Sequence, residues 1–259
     1  MIGATLLAAS LGWSALGRCA QGSDDSQALR LRPKQESQAD LLPDTGLIDA
    51  PTAAVIDPEE FQSQTRFFSG GGFLEYLSFG VVDGLNIGAS LDVDRLVGTA
   101  AKVQARDPAP QIKYRFYDGG DILPALAVGY DGQGYGFDSV TNKYDQSARG
   151  VYLVASQELG VPGLEVHPSV NFSQFNAQSI FGTLPFSYSL GRHAAVIAEW
   201  DNLNSQMSQS RVNAGLRLYL SDNLHADLAV RSINQKGDYP DGAPRGPERI
   251  VQIWYTAHL

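Results

Sequence analysis

From Phe61 onward, apolar and polar residues alternate with period two in segments of roughly 8 to 11 residues, the length a tilted strand needs to cross a bilayer. In Asn86 to Val93, Ile87, Ala89, Leu91 and Val93 share one face, while Asn86, Gly88, Ser90 and Asp92 share the other. Leu164 to Ser173 sets Leu164, Val166, Val170 and Phe172 against Glu165, His167, Ser169 and Asn171. Ser210 to Leu220 sets Val212, Ala214, Leu216, Leu218 and Leu220 against Arg211, Asn213, Arg217 and Tyr219. In Leu224 to Arg231, Leu224, Ala226, Leu228 and Val230 oppose His225, Asp227 and Arg231. Weaker alternation at Gln62 to Phe68, Phe73 to Val81, Gln111 to Phe116, Pro124 to Tyr130, Val151 to Gln157, Gln178 to Tyr188, His193 to Asp201 and Ile250 to His258 brings the total to about twelve strands, an even number as in bacterial single-chain barrels. The face of Phe73 to Val81 stays open, because Phe73, Leu77 and Phe79 share parity with Glu75.

The connections alternate as well. Short turns at Val82 to Gly84, Asp118 to Asp121, Gly160 to Gly163, Leu190 to Arg192 and Ser221 to Asn223 carry the Gly, Asp and Asn that reversals favour. Between them come longer stretches, Asp94 to Pro110, Asp131 to Arg149, Asn202 to Gln209 and Ser232 to Glu248, with Ser69 to Gly72 and Gln174 to Ala177 as short members of the same set. An outer-membrane barrel joins its strands in this way, with short periplasmic turns and longer external loops. The expected fold is therefore all-β, an antiparallel transmembrane β-barrel over residues 61–259 with both termini periplasmic. A soluble secreted β-sandwich binding protein also alternates and is the architectural alternative. Aromatics near strand ends and a last strand with Val251, Ile253, Tyr255, Ala257 and Leu259 on one face favour the barrel, the latter resembling the terminal signal read by the outer-membrane insertion machinery.

Before the barrel, Ile2 to Leu16 is apolar but shorter than the roughly 20 residues of a membrane-spanning helix, so residues 1–22 are expected to be a secretory signal peptide. The single cysteine, Cys19, lies in or beside that segment, where a lipoprotein signal using it is the alternative to plain cleavage, and the mature chain is left without a disulfide. Residues 23–60 read as a flexible periplasmic lead-in, polar and without periodicity at their start. The formal net charge of -9 and the lack of a basic cluster exclude nucleic acid as a partner.

Charges within the strands should point inward, since a cation facing lipid at the bilayer midplane costs about 2 to 4 kcal/mol. By parity Lys113, Arg115, Glu165, His167, Glu199, Arg211, Arg217, Asp227 and Arg231 line the lumen and are the candidate constriction. Two roles compete for them. Opposite charges can cross-link the interior, or the basic residues can bias a narrow pore toward small anionic solutes. His167 and Ser169, two apart on one face, raise a barrel hydrolase as a third class, although spacing alone supplies no base in reach of a nucleophile. No ligand spacing indicates a metal or a cofactor. The Gly-rich run Asp131 to Asp138 opens a loop without helical periodicity and reads as the root of an external loop.

The run Thr45-Gly46-Leu47-Ile48-Asp49-Ala50-Pro51-Thr52-Ala53 resembles the leading motif of YjbH-like outer-membrane barrel proteins. Leu77 to Gly80 with Leu85 to Gly88, Leu123 to Tyr130, Tyr152 to Ser156 and Asn213 to Arg217 extend the resemblance. It implies a barrel linked to exopolysaccharide production or export, with polysaccharide as a partner beside outer-membrane lipid, and brings no catalytic residues. The expected function is a narrow passive pore or a structural and assembly component of the bacterial outer membrane, without enzymatic activity.

Overall fold

The computed structural model describes residues 44–98, 102–120, 122–138, 143–146, 148–173, 180–205, 209–237 and 246–259. Its strands run in chain order as β1 (Glu60–Phe68), β2 (Gly72–Val82), β3 (Leu85–Asp94), β4 (Gln104–Ala105), β5 (Ala109–Tyr117), β6 (Ala125–Asp131), β7 (Tyr135–Asp138) and β8 (Lys143–Gln146). They continue with β9 (Gly150–Glu158), β10 (Leu164–Val166), β11 (Ser169–Phe172), β12 (Ile180–Ser189), β13 (Ala194–Leu203), β14 (Arg211–Ser221), β15 (Leu224–Arg231) and β16 (Glu248–His258). No helix occurs among the described residues.

Neighbours in sequence pair antiparallel around the sheet, and β1 closes it by pairing both β2 and β16, with Ser63 opposite Leu77 on one side and Tyr255 on the other. β10 and β11 occupy one position between β9 and β12, split at His167-Pro168, where proline cannot donate to the ladder. Counting that pair once gives a closed antiparallel barrel of twelve strands. The short β4 extends β3, and β7 with β8 forms a separate hairpin in the long connection after β6.

The two faces of this wall reverse the usual distribution. Outward positions such as Ile112, Phe116, Leu153, Val196, Leu228 and Val251 are apolar and exposed, whereas Arg66, Asn171, Glu199, Arg217, Asp227 and Gln252 are buried inside. The register settles the strand that parity left open. Leu74 and Tyr76 of β2 are buried inward, so Phe73, Glu75, Leu77 and Phe79 face out. Glu75 is tolerated there because Ser63 Oγ and Thr65 Oγ1 of β1 each donate to its carboxylate at 2.5 Å.

Residues 44–57 depart from expectation. Instead of a free lead-in they form a hairpin strap inside the barrel, closed by a Gly46–Pro51 bridge and a Leu47 N to Ala50 O hydrogen bond of 2.9 Å. Leu47 and Ile48 pack on Ile197, Ala229 and Ile250 of β13, β15 and β16, while Ala53 packs on Ala127, Tyr152 and Val154 of β6 and β9. The strap thus bridges opposite walls. The physical reason is size: about eight strands give an interior that side chains can fill, and twelve leave a gap that the apolar residues Leu47, Ile48, Ala53, Val55 and Ile56 occupy. The rest of the expected lead-in and the expected signal peptide lie outside the described residues.

On leaving the lumen the strap passes close to β2. A Cβ on Gly80 would fall 1.9 Å from the Asp57 carbonyl oxygen, so only glycine permits this approach. With its amide oriented to satisfy both groups, Asn86 of β3 donates to Ile56 O (3.2 Å) and accepts from Ile56 N (3.1 Å).

Candidate functional site

The tip of the strap, Leu47 to Ala50, makes a reciprocal lock with the barrel. Its successive backbone N–H groups form a concavity suited to an anion. The Glu199 carboxylate of β13 fills it, accepting from Ile48 N (2.8 Å), Asp49 N (3.0 Å) and Ala50 N (3.0 Å), and from Asn213 Nδ2 (2.9 Å). In return the tip presents Asp49 to the barrel's cations. Arg66 Nη1 of β1 lies 2.9 Å from one carboxylate oxygen, and Arg231 Nε of β15 and Arg211 Nη2 of β14 lie 2.8 Å and 3.4 Å from the other. Arg149 Nε, just before β9, donates to the Asp49 carbonyl at 3.0 Å. Burial alone would raise the Asp49 pKa, but Arg231, Arg66, Arg211 and Arg149 outweigh it and hold the carboxyl well below the usual carboxylate range.

The cage around Asp49 has further members. Asp201 of β13 pairs with Arg149 at 3.1 Å and with Arg211, and Glu248 pairs with Arg231 at 2.8 Å. The ring of Tyr135, at the start of β7, is flanked by the Arg66 and Arg231 guanidiniums at 4.8 and 4.9 Å from its centroid. Its hydroxyl meets that of Tyr76 at 2.6 Å. The Gly-rich run after β6 therefore turns into the lumen: Gln133 is buried, and Gln146 of β8 accepts from Arg231 Nη2 at 2.7 Å.

Two further groups anchor the arms of the strap. Arg217 of β14 holds Asp227 of β15 with two hydrogen bonds of 2.7 and 2.8 Å, and also meets the Gly46 carbonyl (3.1 Å) and Asp44 (2.7 Å). Trp254 Nε1 completes Asp227 at 2.9 Å, and Tyr219 OH donates to Asp44 at 2.9 Å. On the other arm, Ser156 Oγ accepts from Ala53 N at 2.8 Å and lies 2.8 Å from His167 Nδ1. Lys113 Nζ of β5 donates to the carbonyls of Thr45 (2.5 Å) and Ala54 (3.1 Å).

Most of the charged strand residues proposed from sequence meet the strap or its partners. Glu199, Arg211 and Arg231 converge on the tip, Arg217 and Asp227 on the first arm and His167, through Ser156, on the second, while Lys113 bonds both arms. Glu165 lies beside His167 at 3.6 Å, whereas Arg115 stands apart, its Nε paired with Asp118 in the turn after β5 at 2.8 Å. Ser169 does not meet His167; it pairs with Thr183 at 2.7 Å, while the buried His167 ring spans Ser156 and Ser187. Sequence reasoning missed Asp49, Arg66, Arg149, Asp201 and Tyr135. Of these, Arg66 shares parity with Gln62 and Gln64 in β1, a signal that could have found it.

Between the strap and the wall formed by β1, β2, β3 and β5 remains a cavity of about 110 Å³, lined by Gln62, Gln64, Tyr76, Asn86, Gln111 and Lys113 among others. The strap is therefore packed against β13, β15 and β16 and leaves an unfilled space beside β1, β2, β3 and β5.

No protein-family model matches this chain, and no curated protein matches it. Among solved structures it is similar to the KdgM porin in complex with disordered oligogalacturonate, at 11% identity and a TM-score of 0.49, covering 77% of this chain and 99% of that one. It is also similar to an outer-membrane channel from Pseudomonas putida F1, at 11% identity and a TM-score of 0.44, over 82% of this chain and 100% of that one. A mutant of the Rh. blastica porin aligns at 10% identity with a TM-score of 0.35, over 72% of this chain and 55% of that one.

Proposed function

We propose that this chain is a porin-like channel of the bacterial outer membrane whose lumen is narrowed by its own strap, residues 44–57. The observation that carries this reading is the reciprocal lock at the centre of the lumen, where Glu199 holds the tip's N–H groups and arginines hold Asp49. A filled barrel with no solute path would have little use for a separate chain segment braced by charge beside an unfilled polar cavity. The apolar exterior supports a membrane location, because a bilayer accepts such a surface and water does not. Asp44 reaches Tyr219 near the turn between β14 and β15, so the strap arrives from the end that carries the short turns, which we assign to the periplasm.

The resemblance of Thr45 to Ala53 to the YjbH-like leading motif gives a finer reading, a part in exopolysaccharide export. The strap is the segment that carries that motif, and its glycine, acid and proline all act in the hairpin. Gly46 and Pro51 form its bridge, and Asp49 meets the arginines.

Single-channel conductance of the refolded full chain in planar bilayers, compared with a variant lacking residues 44–56, tests the reading. Folding of both is checked by resistance to denaturation in detergent. The full chain is expected to give small steps, and the deletion discrete ohmic steps several-fold larger. Insertion of both without conductance would overturn the channel in favour of a structural or assembly part.

A further inference from the structure

The arginine cage is more than a brace for the strap. Four guanidiniums, from Arg66, Arg149, Arg211 and Arg231, converge where Asp49 sits. The barrel pairs Asp201 with Arg149 and Arg211 and Glu248 with Arg231, and the strap's Asp49 adds the carboxylate that meets Arg66, Arg211 and Arg231. The cage also holds more donors than the strap uses. Arg211 Nε and Nη1 and Arg66 Nε are buried and have no hydrogen-bond partner among the described residues, although both side chains are nearly fully buried. Unused buried donors carry a desolvation cost, and they mark a site able to take more oxygen atoms than one aspartate presents. The adjoining cavity is lined by Arg66, Arg149, Tyr135 and Asp49 itself, which gives a small solute room to reach the cage.

We infer that the cage of Arg66, Arg149, Arg211 and Arg231 is a binding site for a small carboxylate-bearing solute, which the chain occupies with Asp49 when the strap is seated. The strap is then an internal competitor. With the tip in place, Asp49 occupies the cage; with the tip withdrawn, Arg66, Arg211 and Arg231 lose that carboxylate and present planar guanidiniums suited to the two oxygens of another. This rests on the channel reading only for the solute's route, not for the site itself.

The test is chemical rescue in the full chain. In Asp49→Ala the methyl side chain empties the carboxylate position while the strap remains. The midpoint of heat unfolding in detergent is measured in acetate and in chloride at equal ionic strength and neutral pH. Saturating acetate is expected to raise the Asp49→Ala midpoint by roughly 5 °C over chloride. It should leave the unsubstituted chain and Asp49→Asn unmoved, since a side chain already fills the position in both. Equal midpoints for Asp49→Ala in the two salts would overturn the site. Should Asp49→Ala fail to refold in chloride, refolding yield replaces the midpoint: recovery in acetate alone supports the site, and equal failure in both salts overturns it. Conductance is read separately, so rescue without conductance removes the channel and keeps the site, while conductance without rescue does the reverse.

Discussion

Along β13 to β16 the strap is met by charge as well as by Ile197, Ala229 and Ile250, and along β6 and β9 by small and apolar side chains. On the first wall Glu199 takes three backbone N–H groups, Arg231 and Arg211 take Asp49, and Arg217 ties Asp44 to Asp227. On the second, Ala53 fits against Ala127, Tyr152 and Val154, with Ser156 the polar contact. The two walls do different work. Directional, charge-assisted bonds fix which residue of the strap sits where, while small side chains give it room. Buried ion pairs are weak evidence for stability, because desolvation offsets their attraction, but removing one partner leaves an uncompensated charge. The charged wall should therefore be sensitive to single substitutions, and the side of the barrel facing the cavity, β1, β2, β3 and β5, tolerant where a residue does not meet the strap.

The sharpest way to break that contrast is Arg217→Met. It strands Asp227 and Asp44 without their cation and is expected to cost about 3 to 5 kcal/mol in denaturant unfolding of the detergent-solubilised barrel. Glu199→Gln keeps the shape but leaves the tip's N–H groups facing a neutral amide, for a loss of about 1.5 to 3 kcal/mol in the same assay. Gly80→Ala forces β2 against the Asp57 carbonyl, and a cost of about 1 to 2 kcal/mol is expected because backbone must yield. On the cavity side, Ser78→Ala should change stability by less than about 0.5 kcal/mol. A loss there as large as that of Glu199→Gln would erase the distinction between the walls.

Acid gives the smallest effect. The folded Asp49 pKa lies below its unfolded value of about 3.9, so its contribution is fully present above that value and is lost only as pH falls through the depressed one. Between neutrality and pH 5 the contrast in stability between the unsubstituted chain and Asp49→Asn should stay constant, which unfolding at the two pH values checks.

The barrel wall was legible because period two is a local signal. Arg211, Arg217, Asp227 and Arg231 could be sent inward from their neighbours alone. Glu75 could not, since what tolerates it outside is a pair of hydroxyls on β1 twelve and ten residues away, and only the register of β1 against β2 brings them together. The same limit hid the site. Asp49 stands in a segment with no strand period, and its arginine partners lie 17 to 182 residues distant. Tyr135 stood in a Gly-rich stretch whose inward turn depends on Arg66 and Arg231, which flank its ring from β1 and β15. A charge pattern within a strand gives its facing; it does not give what the lumen encloses.

The central claim is that the strap tip is seated inside the barrel, and thiol accessibility at position 48 addresses it most directly. Ile48 is 1% exposed, so in an Ile48→Cys variant on a Cys19→Ser background, folded into vesicles, the introduced thiol should be protected from a polar maleimide until the barrel is denatured. Labelling of the folded barrel as fast as of the denatured chain would contradict the claim.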